Sequence, residues 1–94
     1  MHITWDEEKN RKNKAKHKLS FETAQLVFSD PLQVNIQDRH EEGEERWQTI
    51  GCVFGVVLIV VPHTWHVGES EEMRIISARK ADAHERKRYE KDTY

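Results

Sequence analysis

The stretch VFGVVLIVVP, Val53 to Pro62, is the longest apolar run of the chain and decides its fold class. Gly55 offers a turn, and the unbroken run from Val56 to Val61 matches a central β-strand buried on both faces. Pro62 has no backbone N–H to donate and is expected to end that strand. At nine residues and with a glycine inside, Val53 to Val61 is about half of what a membrane-spanning helix needs, so no membrane contact is expected.

On the N-terminal side of this run, Arg46 through Val53 reads as a strand. A charged loop around Gly43 precedes it, and before that Leu32, Val34 and Ile36 alternate with polar residues as another strand. On the C-terminal side, Trp65 to Glu72 is polar with a glycine and is expected to be a loop, and Met73 to Ala78 is a last strand. Helices flank this sheet. Asp6 caps one from Glu7 to about His17. Ser20 caps a second, with Phe21, Ala24, Val27 and Phe28 at helical spacing, which Asp30-Pro31 stops. Asp82 and Glu85 have capping-box spacing and open a terminal helix through about Lys91. The expected fold class is α+β, with a small, mainly antiparallel sheet, two N-terminal helices and one C-terminal helix.

The 94 residues are 36% hydrophobic, enough for one small core and hence a single domain over 1–94. With 15 Lys and Arg against 17 Asp and Glu, the net charge of -2 excludes a globally basic nucleic-acid binder. Charge is instead blocked: six cations and no anion lie between Lys9 and Lys18, acids dominate Asp38 to Glu45, and the tail from Arg79 to Lys91 is basic again. The lone Cys52 fits a reducing, cytoplasmic compartment and removes a cysteine-based zinc cluster.

The first helix is unusual because Ala15 is its only apolar residue, so burial of an apolar stripe does not explain it. At about 100° per residue, Lys9, Asn10, Asn13, Lys16 and His17 share one face within a sector of about 120°. Asparagine and histidine there suit hydrogen bonds to strand backbone, and Lys16 and His17 suit a polyanion. Both duties fit on one face.

Trp5-Asp6, Lys9-Asn10, Asn13, Lys16-His17, Phe21, Phe28 and Asp30-Pro31, then Gly43-Glu44-Glu45-Arg46 with Ile50-Gly51, then Arg74-Ile75-Ile76-Ser77-Ala78-Arg79 with Ala81, Glu85-Arg86 and Tyr89-Glu90, together resemble the BrnT toxin family. The resemblance covers essentially the whole chain; the segment Trp65 to Glu72, with its aromatic and three acids, lies outside the family's motifs. It implies a RelE-like fold and an RNA-cleaving toxin that blocks translation. It also implies a BrnA-like antitoxin, which alone carries the contact to operator DNA.

RNA is cut without metal or cofactor when a base takes the 2'-OH proton, cations stabilise the phosphorane and an acid protonates the leaving oxygen. The candidate catalytic set is His17, Arg46, Arg74, Glu45 (or Glu44 as base) and Tyr89, the last as an acid if a neighbouring cation lowers its pKa; RNA contacts are assigned to Lys9, Lys16, Arg79 and Arg86. Each has a competing packing duty. Arg46 can pair with Glu44 and Arg79 with Glu85, Ser77 can be a core hydroxyl, and Tyr89 can be a packing aromatic. His63 and His66 form a metal corner only with a third ligand such as Glu69. The alternative function is a non-catalytic module that binds nucleic acid or protein through the same basic surface.

Overall fold

Strand alternation and helix caps place the elements of the computed structural model, which describes residues 1–41 and 44–93, without the side chains of 39–41, 92 and 93. Strand β1 (His2–Trp5) leads into helix α1 (Glu7–His17), and α2 (Phe21–Ala24) tightens into a 3-10 turn over Gln25–Ser29. Strands β2 (Val34–Glu41), β3 (Glu44–Val53), β4 (Val57–Val67), β5 (Glu71–Ile75) and β6 (Arg79–Lys80) follow, and helix α3 (Ala83–Thr93) comes last. Gly43, the centre of the expected charged loop, lies outside the described residues. The sheet is mixed, in the order β1-β5-β4-β3-β2 with β6 on β4; β1 runs parallel to β5 and the remaining pairs are antiparallel.

The caps act as the residue types dictate. Asp6 accepts from the amides of Glu8 and Lys9, Ser20 accepts from Thr23, and Asp82 and Glu85 exchange hydrogen bonds of 2.9 and 2.8 Å across the first turn of α3.

Two expectations fail together around Pro62. Strand β4 runs straight through it to Val67, and Trp65 to Glu72 forms the β4–β5 hairpin instead of a loop, with Trp65 opposite Met73 and Val67 opposite Glu71. The reason is directional. The N–H and C=O of one strand residue point to the same neighbour, and the Pro62 carbonyl accepts from Ile76 and Ser77 on the β5 side at 2.9 and 3.4 Å. The N–H that proline lacks would also have pointed that way, so the β3–β4 ladder loses nothing. The expected strand Met73 to Ala78 is in turn broken, ending at Ile75 and resuming as β6.

Asn13 of α1 fills that break. Its Nδ2 donates to the carbonyls of Ala78 (2.8 Å) and Leu19 (2.9 Å), and its Oδ1 accepts from Ala78 N–H (3.2 Å) and Ser77 Oγ (3.0 Å). Asn10 repeats the pattern one turn earlier, accepting from Phe21 N–H at 2.8 Å and donating to Glu22 at 2.9 Å. These two side chains are the only buried residues of α1. The helix is docked by amides.

Each face of the sheet carries its own apolar cluster. Phe21, Ala24 and Val27 pack on Val53, Ile59, Val61 and Ile75. On the other face Val34, Ile50, Leu58 and Val60 pack with Ala81 and with Tyr89 of α3. Val27 approaches so closely that a Cβ added to Gly51 would meet its Cβ at 2.9 Å. A glycine is required there.

Asn13→Ala removes four hydrogen bonds and strands buried backbone groups of Leu19 and Ala78, so a loss of about 3 kcal/mol is expected in urea unfolding. Gly51→Ala is expected to cost about 1–3 kcal/mol by overpacking against Val27. Lys12→Ala, on the exposed side of α1, should stay within about 0.5 kcal/mol in the same titration.

Candidate functional groove

Of the polar face of α1, the structure buries Asn10 and Asn13, half-buries His17 and leaves Lys9 and Lys16 exposed. The face therefore divides into hooks that hold the helix and cations that remain in water.

The C-terminal candidates are similarly divided. Arg79 forms a two-pronged pair with Glu85, both bonds 2.7 Å, and its pKa is raised, first by that carboxylate. The pairing duty, rather than an open phosphate contact, is what the Arg79 geometry displays. Tyr89 donates its hydroxyl to Asp30 at 2.8 Å, and burial together with that carboxylate pushes its pKa up to about 12. A lowered phenol pKa was the condition for Tyr89 as an acid, and the neighbour found here acts in the opposite direction. Burial pushes the Asp30 carboxyl up, yet hydrogen bonds from Cys52 N–H, Leu32 N–H and the Tyr89 hydroxyl outweigh it and hold the group below the usual range. Asp30 thus joins β3 to α3. Arg86 stands exposed on α3, and Ser77 is tied to Asn13.

The end of the sheet away from the Val53–Val57 hairpin gathers the other candidates. Arg46 of β3 is opposite Thr64 of β4, Thr64 is opposite Arg74 of β5, and Arg74 is opposite Thr4 of β1. One cross-strand row thus carries two arginines about 10 Å apart at the backbone, two strand spacings. Arg74 reaches over β4 to Glu44, with Nη2 2.9 Å from Oε2, and both side chains remain nearly half exposed. Glu45, one residue on, points to the opposite face, where Trp47, Trp65 and Met73 also lie. A groove of about 730 Å³ takes its lining from both sets, with Thr4, Glu44, Thr64, His66, Glu72 and Arg74 from one and Glu45, Trp47, Trp65, Val67 and Met73 from the other. Arg46, His17, Tyr89, Arg79, Arg86, Lys9 and Lys16 do not line it, although Arg46 shares the cross-strand row of Arg74.

His66 is the groove residue that sequence reasoning missed. Placing Trp65 to Glu72 in a loop hid the alternation that sends His66 to the face of Arg74 and His63 to the other. The same alternation dissolves the His63–His66 metal corner. Among the described residues no group of three or more His, Cys, Asp or Glu side chains is placed to hold a metal ion. Among them, too, no helix is long and apolar enough to cross a membrane.

His63 is fully buried, with Nε2 2.8 Å from the Thr49 hydroxyl and Nδ1 donating to the Thr64 carbonyl at 3.0 Å. Phe28 meets its ring edge to face at 5.0 Å. Burial lowers its pKa, against a smaller upward pull from the Thr64 carbonyl.

A family model described as the ribonuclease toxin BrnT of a type II toxin-antitoxin system matches residues 5–85. The crystal structure of the Brucella abortus ribonuclease toxin BrnT is similar at 32% sequence identity and a TM-score of 0.68, over 87% of this chain and 97% of that one. No curated protein matches.

The lowered His63 pKa makes stability depend on pH with a definite sign. The unfolded chain binds a proton that the folded one refuses, so stability is fully present above about pH 6.5 and falls below it, with a limiting slope of about 1.4 kcal/mol per pH unit. Asp30 and Glu85, both held below their ordinary values, add a second loss only below about pH 4. Melting temperatures measured from about pH 8 to about pH 5 are expected to show the first decline, and His63→Gln should flatten it.

Proposed function

The chain belongs to the BrnT family of ribonuclease toxins of type II toxin-antitoxin systems, and from that premise we propose that it is a metal-independent endoribonuclease acting in the groove that Arg74 lines, with Arg46 in the same cross-strand row. The observation that carries the proposal is the register row Arg46, Thr64, Arg74 with Glu44 hydrogen-bonded to Arg74. Two guanidinium arms from strands flanking β4 suit one phosphodiester between them, because their planar forks match phosphate oxygens.

In this mechanism Glu44 takes the 2'-OH proton. Of the two neighbouring glutamates it shares the arginine face, and Arg74 holds it in place; Glu45 borders the groove from the other side. The 2' oxygen attacks phosphorus, Arg46 and Arg74 stabilise the charge of the phosphorane, and the 5' oxygen leaves with a proton. His66 lines the groove on the same face as Arg74, and its imidazole delivers that proton. His17 takes the proton-transfer role only if bound RNA extends to α1. Tyr89 and Arg79 keep the structural partners described above. The products are a 2',3'-cyclic phosphate and a 5'-hydroxyl.

Lys9, Lys16 and Arg86 extend the cationic surface and hold the RNA strand on either side of the cut. The same proposal makes the chain one RelE-like domain over 1–94 that blocks translation in the cytoplasm by cutting messenger RNA. A BrnA-like antitoxin neutralises it and supplies any contact with operator DNA. The basic ends of this chain suit such a partner's acidic or apolar segments.

Purified protein in EDTA is expected to cleave plain RNA and leave 2'-O-methyl RNA intact, with cyclic-phosphate ends seen by mass spectrometry. Arg74→Ala should lower kcat/KM by about 10²–10³-fold while melting as the parent does. Products ending in 5'-phosphate, or a strict need for Mg²⁺, would exclude the mechanism. Binding of uncleavable RNA should weaken with salt at a log-log slope of about -3.5, for contacts from Lys9, Lys16, Arg46, Arg74 and Arg86.

A further inference from the structure

Two of the three tryptophans belong to neither apolar cluster. Trp47 and Trp65 stand on adjacent strands, half-buried, with ring centroids 5.1 Å apart and planes inclined by 67°. Trp65 Nε1 donates to Glu71 at 3.2 Å, whereas no described residue accepts from Trp47 Nε1. Both indoles line the groove that Arg74, Glu44 and Thr64 line from the other face of the sheet. A volume of about 730 Å³ is within the range of small-ligand sites. Aromatic faces next to cations form the pair of features by which single-stranded nucleic acid is held, the cation on phosphate and the ring on base.

We propose that Trp47 and Trp65 form a nucleobase subsite. A single strand passes round the open end of the sheet with one phosphate on the Arg46 and Arg74 side and the adjoining base stacked on the indole pair. The subsite rests on the ribonuclease reading above and adds to it how substrate is held in register with the arginines. Every base has a π-face, so stacking contributes affinity whatever the base. The contact lies away from the phosphorus and acts on positioning. Its loss should therefore raise KM more than it lowers kcat.

The test uses a 2'-O-methyl oligoribonucleotide, which binds without being cut, on protein carrying Trp5→Phe so that only Trp47 and Trp65 fluoresce. Binding should quench that fluorescence. Moving a single abasic residue along the oligonucleotide should find one position where affinity falls about 5- to 150-fold. Trp47→Leu and Trp65→Leu should lose affinity for the intact oligonucleotide by a similar factor and lose nothing further with the abasic one, while Trp47→Phe keeps most of the binding. The abasic comparison on unmodified indoles stands even if a leucine variant fails to fold. Binding without quenching, or an abasic penalty unchanged by the leucine variants, overturns the subsite and leaves the ribonuclease intact. Folded protein that neither binds nor cuts RNA removes both.

Discussion

Asn13 offers Ala78 an acceptor and a donor from one side-chain amide, which is what a neighbouring strand would offer, at the point where β5 has ended and β6 has not begun. The rest of the molecule depends on that substitution. Helix α1 has no apolar stripe to bury, so without its two asparagines nothing would hold it against α2 and the sheet edge. Buried amides stabilise only when fully bonded, and Asn10 and Asn13 are bonded at both ends of their side chains. Because no apolar face has to point inward, the remaining positions of α1 are free to be cationic. A helix packed in the ordinary way could not carry six cations between Lys9 and Lys18 so cheaply.

The charged residues of this chain fall into two groups with different physics. Asp6, Asp30, Asp82, Glu85 and Arg79 satisfy backbone groups or one another and fasten helices to the sheet. Arg74, Glu44, Glu45 and His66 line a groove in which solvent still reaches them. Groups of the first kind are spent on the fold. Those of the second kind keep donors, acceptors or protons that a ligand can use, which is why the proposed chemistry is placed on them.

Much of the architecture was legible because caps and strand period are local. Asp6, Ser20 and the Asp82–Glu85 box started helices where their side chains said they should, and of the run Val56 to Val61 expected to be buried on both faces, Leu58 to Val61 are, while Val56 is exposed in the turn before β4. The amide duties of Asn10 and Asn13 were anticipated in kind because no apolar alternative existed. What was illegible is non-local. Whether Pro62 stops a strand depends on which neighbour its missing N–H would have faced, and that is decided by Ile76 and Ser77. Misjudging Pro62 hid the β4–β5 hairpin, and with it the faces of Trp65 and His66. The choice of Glu44 over Glu45 for the arginine face, and of Asp30 as the partner of Tyr89, likewise required the sheet register and a contact across 59 residues.

The bond between Asn13 and Ala78 joins positions 65 residues apart, and β1 pairs with β5, which follows it only after three intervening strands. Such closure is a matter of timing as well as of stability. Helix α1 and β1 can dock, and the row bearing Arg74 can form, only after β5 and Ala78 have been synthesised, since long-range pairing waits for both partners. A nascent chain that still lacks β5 has no groove and no docked helix. The topology therefore delays assembly of the groove until β5 and Ala78 have followed β1 and α1 out of the ribosome, so the slowest and longest-range pairing sets when the surface bearing Arg74 and Glu44 first exists.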